Sequence, residues 1–148
     1  MPTIRDHLTS LGGSVDALSA EQVHAATAAW VATYGSPNLE NIKNPKRGAH
    51  KWKVFAQYKY AIAAHGLKAI EQFLGLPLGT YLLFNDQEAW GFQCTGGRHP
   101  DFSDANEDIY IVTDDWTMVF VNDYHLAFLA WSRPPSRPDP AMLHPSVA

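Results

Sequence analysis

The sequence predicts an α+β domain: an antiparallel sheet built from two hairpins, N-terminal and central helices packed on one face, and a Pro-rich C-terminal tail. Three observations carry this. Helix-period patterns with recognisable start and stop signals occupy the first part of the chain. A run of β-rich segments joined by short turn signals follows them. Five prolines, Pro134, Pro135, Pro138, Pro140 and Pro145, exclude regular helix or central strand from the end. The chain divides into one domain over 1–131 and a tail over 132–148.

Taken in order, Thr3 to Leu11 reads as a short helix ended by Gly12-Gly13. In "LSAEQVHAATAAWVATYG", Ser19 and Gln22 form a capping-box signature, with Glu21 in the first turn. Val23, Ala26, Trp30 and Tyr34 recur at helical spacing, and Gly35 and Pro37 stop the helix. Asn38 to Gly48 reads as a loop. "HKWKVFAQYKY" suits an edge strand protected by lysines, with the start of a helix as the competing reading. "AHGLKAIEQFLGL" predicts a helix with Leu67, Ile70, Phe73 and Leu74 on one stripe. "TYLLFNDQEAWGFQC" reads as strand, Asn85-Asp86 turn, strand. Glu107–Thr113 and Trp116–Asn122 form a second hairpin bent at Asp114-Asp115. Apolar residues on both of its faces place it centrally in the sheet. "LAFLAW" is a last strand or a short helix.

The chain of 148 residues is 46% hydrophobic and 18% charged, which fits a globular protein with a real core. A single cysteine, Cys94, rules out an intrachain disulfide and suits a reducing cytoplasm. The N-terminus lacks an apolar leader pattern and no apolar run is long enough for a bilayer, so the expectation is a cytoplasmic protein without a membrane partner. The net charge of −4 hides an asymmetry. Charges from Asn41 to Ile70 are all basic, whereas those from Asn85 to Asp123 are acidic apart from Arg98. Such a split either signals a charged partner or places two surfaces in water or against each other.

The candidate chemistry is thin. Asp114-Asp115 and Asn85-Asp86 occupy positions where hairpin turns want residues tolerant of positive φ, so turn formation accounts for them first. His99, Asp101 and Asp104 match no metal-ligand spacing, and no metal or other cofactor is expected. Cys94 as a nucleophile would need His99 or His125 as its base, but a cysteine closing an apolar strand usually just packs. No catalytic residue is assigned, and the expectation is a protein that is not an enzyme. "NPKRGAHKWKVFAQYKY" mixes cations and aromatics as nucleic-acid binders do, but a sequence pI near 5.9 argues against that partner.

Three segments, "HKWKVFAQYKY", "GLKAIEQFLG…TYLLFND" and "EDIYIVTDDWTMVFVNDYH", resemble a family of small uncharacterised bacterial domains. In that family a Trp-x-x-Phe segment precedes a helix and a Tyr-φ-x-Phe strand, and an Asp-φ-Tyr-φ hairpin with a Trp-Thr second arm follows. The likeness covers Trp52 to about His125, and Asp123-Tyr124-His125 departs from the family's His-Glu ending. More broadly the chain resembles immunity proteins of bacterial toxin systems. That resemblance implies a non-enzymatic module that occludes a basic, toxin-like protein. Its acidic, aromatic-studded face would comprise Asp86, Glu88, Trp90, Asp101, Asp104, Asp114, Asp115 and Tyr124. Two other readings stay open. One is a small-molecule or catalytic pocket between sheet and helices, lined by Cys94, His99 or His125. The other is nucleic-acid binding through Lys43 to Lys59.

Overall fold

A computed structural model of the chain describes residues 3–34, 62–102, 107–121 and 127–132. The expected strand at 51–60, the tail beyond Ser132, Asp104, Tyr124 and His125 lie outside the described residues. The elements are α1 (Ile4–Ser10), β1 (Ser14–Ala17), α2 (Ala20–Tyr34), β2 (Ile62–His65) and α3 (Leu67–Leu74). Strands β3 (Thr80–Asn85), β4 (Gly91–Thr95), β5 (Ile109–Val112), β6 (Trp116–Phe120) and β7 (Phe128–Trp131) complete the fold. The seven strands form one sheet in the order β1-β4-β3-β5-β6-β7-β2, and each neighbouring pair is antiparallel. The fold is therefore α+β. The β5–β6 hairpin lies at the centre, as its two apolar faces require.

Strand periodicity sorts the side chains into two cores. Leu83, Ile109, Ile111, Met118, Phe120 and Leu129 point to one face and pack with Leu8 of α1 and Phe73 of α3. Phe84, Tyr110, Val119 and Ala130 are their chain neighbours, so they point the other way and meet Val23, Trp30 and Tyr34 of α2. Helices α1 and α3 thus share a face, but α2 covers the opposite one, so the helices do not all pack on one face as expected: the central strands are apolar on both sides and need cover on both. Burial of each of these large side chains contributes about 1.5–3 kcal/mol, so both layers are needed to hold the sheet.

The helix ends follow local chemistry. Gln22 N donates to Ser19 Oγ (3.1 Å) and Ser19 N to Gln22 Oε1 (2.8 Å), which is the expected capping box. Thr3 and Asp6 make the same reciprocal pair at α1. The stripe expected on α3 divides. Phe73 is buried and Ile70 is half-buried, but Leu67 and Leu74 are 62% and 51% exposed. Ala69 takes the inward position between them, and its small side chain lets α3 sit close to the sheet. Phe73 then reaches Trp116 and Phe120 edge-on, with centroids 5.6 and 5.8 Å away.

Two strands were not foreshadowed, β1 and β2, and both are four-residue edges of the sheet. The first depends on glycine. A Cβ on Gly13 would lie 2.3 Å from the Thr95 carbonyl oxygen, and one on Gly97 would lie 2.8 Å from Gly13 N. Gly96-Gly97 is therefore a backbone-on-backbone seam against Gly13. Arg98 closes the seam, its N–H donating to Leu11 O and its guanidinium to Ser10 O. "LAFLAW" resolves to a strand, and the β3–β4 connection spans 86–90, longer than the two-residue Asn85-Asp86 turn expected.

Candidate functional site

Among the described residues a concavity lies on the α2 side of the sheet. The helix segment "HAATAAWVATY" is rich in alanine, which favours helix but supplies little volume. Trp30 and Tyr34 fill the space over β5 and β6, whereas Ala26 and Ala29 leave a gap over β3 and β4. The result is an open groove of about 480 Å³. Leu82, Gln93 and Val112 line its floor, Thr33 belongs to its helical wall, and Asp114 and Ser132 lie at the end formed by the β5–β6 turn.

That turn is held without help from the acid side chains. Thr113 Oγ1 accepts from Asp115 N (3.2 Å) and Trp116 N (3.1 Å), and Thr113 N donates to Trp116 O. Ser132 braces it from β7, its N–H donating to Asp115 O and its hydroxyl to Asp114 O. Neither aspartate has a positive φ, so the tolerance that sequence reasoning invoked is not what places them there. Both residues are exposed. Tyr34 senses the turn: burial, and then the Asp115 carboxylate, push its phenol pKa far above the ordinary tyrosine value.

The other described acids expected from sequence, Asp86, Glu88 and Asp101, do not join this site. Asn85 pairs with Ile109 and Leu82 with Val112. The 86–90 turn and the Asp114-Asp115 turn therefore sit at opposite ends of the sheet, and the single acidic face expected from sequence is not formed. Asp86 is withdrawn from the surface. It is 7% exposed and accepts from the Tyr110 hydroxyl at 2.5 Å. An ionisable group this buried needs such partners, which is why the turn folds over it. Glu88 carries a positive φ of 57° and meets His24 Nδ1 at 2.9 Å, tying the turn to α2. Trp90 is half-buried and packs tilted on Phe92. Asp101 is exposed on another loop, where its N–H points at His7 Nε2.

The described residues do not pair Cys94 with His99, and His125, the other base considered, lies outside them. Cys94 is buried on the α1–α3 face, and burial holds its thiol pKa above the ordinary 9.0 despite its hydrogen bond with Tyr81. His99 bonds the Leu76 carbonyl through Nε2 (2.6 Å) and stands edge-on to Phe73. Both lie away from the groove lining. No group of three His, Cys, Asp or Glu side chains among the described residues could hold a metal ion. No described helix is long and apolar enough to cross a membrane. The sequence left open a pocket between sheet and helices but lined it with Cys94, His99 or His125; the alanine run in α2 was the readable sign of where the groove lies. Comparison with protein-family models, with curated proteins and with solved structures finds no match to the chain.

Proposed function

We propose that this chain is a non-enzymatic binding module that neutralises a basic protein partner by covering it, in the manner of a toxin-immunity protein. One observation carries the reading. The exposed Asp114-Asp115 pair stands on a turn whose hydrogen bonds come from Thr113 and Ser132, so the two carboxylates are not consumed in building it. The same turn ends a groove large enough to receive side chains. A rigid acid pair beside a cavity gives register, and the net charge of −4 favours encounter with a cationic surface. Of the eight contact residues expected from sequence, Asp114 and Asp115 form the core of this proposal.

The test is capture of protein partners from the native host by the tagged chain, at low and high salt, beside an Asp114→Lys/Asp115→Lys variant. One stoichiometric protein, retained by the native chain at low salt and lost from the variant, is the expected outcome. Equal retention by both would remove the turn from the interface. The groove also favours a second reading, a small-molecule site between α2 and the sheet. Its lining would be that of the groove, not the Cys94 and His99 considered at first. Saturable binding of a metabolite, with no protein captured, would favour it.

A further inference from the structure

The chemistry of the groove narrows what the partner inserts. Among its described lining residues Asp114 alone is charged. The other polar groups of the lining are the hydroxyls of Thr33, Tyr34, Thr80, Thr113 and Ser132 and the Gln93 amide, all able to accept hydrogen bonds, while Trp30 Nε1 is committed to Thr117 Oγ1 and the Tyr81 ring packs on the opposite face. The rest of the lining is apolar, notably Ala29, Leu82 and Val112. An occupant must therefore be cationic at the Asp114 end, rich in donors and apolar along its stem. A lysine ammonium is a compact, strongly hydrated charge and loses much on entering such a lining. A guanidinium is planar and weakly hydrated, and its five donors suit a carboxylate surrounded by dispersed acceptors. The volume of about 480 Å³ falls within the ~300–1,000 Å³ of pockets that enclose ligands.

Resting on the binding function proposed above, we infer that the groove takes an arginine side chain of the partner protein. Its guanidinium meets Asp114, and its methylene stem lies over Ala29, Leu82 and Val112. Asp115, the second exposed carboxylate of the turn, adds attraction without lining the groove.

The probe is N-acetyl-arginine methylamide, titrated into the isotope-labelled full chain while backbone amide shifts are followed. Saturable shifts at Thr33, Gln93 and Asp114 are expected. Loss of the charge-assisted bond in Asp114→Asn should weaken the response about tenfold or more. Ala29→Leu fills the groove and leaves both acids in place, so it should abolish the response while the spectrum stays dispersed. The citrulline analogue, which has the shape without the charge, should give no saturable shift at these residues. Absence of the arginine response, or an equal response to citrulline, overturns the inference. Failure here with capture still dependent on Asp114 and Asp115 would leave the binding function standing. A normal arginine response in a chain whose capture ignores both acids would place the failure in the binding function.

Discussion

At the scale of single residues, the polar groups inside the two cores decide more than their number suggests. Trp30 Nε1 donates to Thr117 Oγ1 (3.0 Å), and that hydroxyl donates to Ile111 O (2.8 Å), all of it buried. Thr117 therefore locks α2 onto the central hairpin. Thr117→Val keeps the shape and removes both bonds, which should cost about 1–3 kcal/mol in urea denaturation. An unchanged midpoint would show that the indole does not depend on this hydroxyl. Glu88 is the converse case, a residue in the left-handed region where glycine is at ease. Its contact with His24 is solvent-exposed, with side chains 77% and 30% accessible, so it returns well under about 1 kcal/mol. Glu88→Gly should therefore be neutral or slightly stabilising. A clear loss of stability would mean that the turn depends on the Glu88 side chain after all.

At the scale of elements, what was readable in the sequence was what is locally determined. The Ser19–Gln22 cap closes within four residues and was visible as spelling, as were the alternation of β5 and β6 and the stop at Gly75. The edge strands "SVDA" and "IAAH" were not, because four residues are too few to establish a period and owe their state to a neighbour. The α3 stripe was half right: spacing locates the helix but not its rotation, which Ala69 and Phe73 set by fitting the sheet. The acids misled for a topological reason. They are close in sequence, but antiparallel strands send successive turns to opposite ends, and Asp86 folds inward onto Tyr110. The glycine seam makes the sharpest demand on an element. Gly13→Ala should detach β1 from β4 and destabilise the fold by about 1–3 kcal/mol, because the Cβ meets backbone, not a yielding side chain. Amide exchange at Val15 and Asp16 should accelerate with it. Wild-type protection there would contradict the seam.

At the scale of the whole molecule, burial fixes the response to alkali. Tyr34 and Tyr81 are held above the ordinary 10.0, and Cys94 above 9.0, chiefly by burial. Each keeps its proton in the folded state at a pH where the unfolded chain has lost it. Their contribution is thus complete below pH 9.0 and falls as pH rises through 9.0–10.0 and beyond, so the urea midpoint should drop across that window. A midpoint that is flat to pH 11 would contradict their burial. The same packing leaves the Asp114-Asp115 pair exposed beside an open groove, and the proposed function stands on that arrangement. The most direct test is the association rate of the captured partner with the native chain and with Asp114→Lys/Asp115→Lys, both checked for folding. The account predicts a rate about tenfold or more slower for the variant at low salt, the difference shrinking as salt screens the field. Equal association rates for two folded proteins would contradict it.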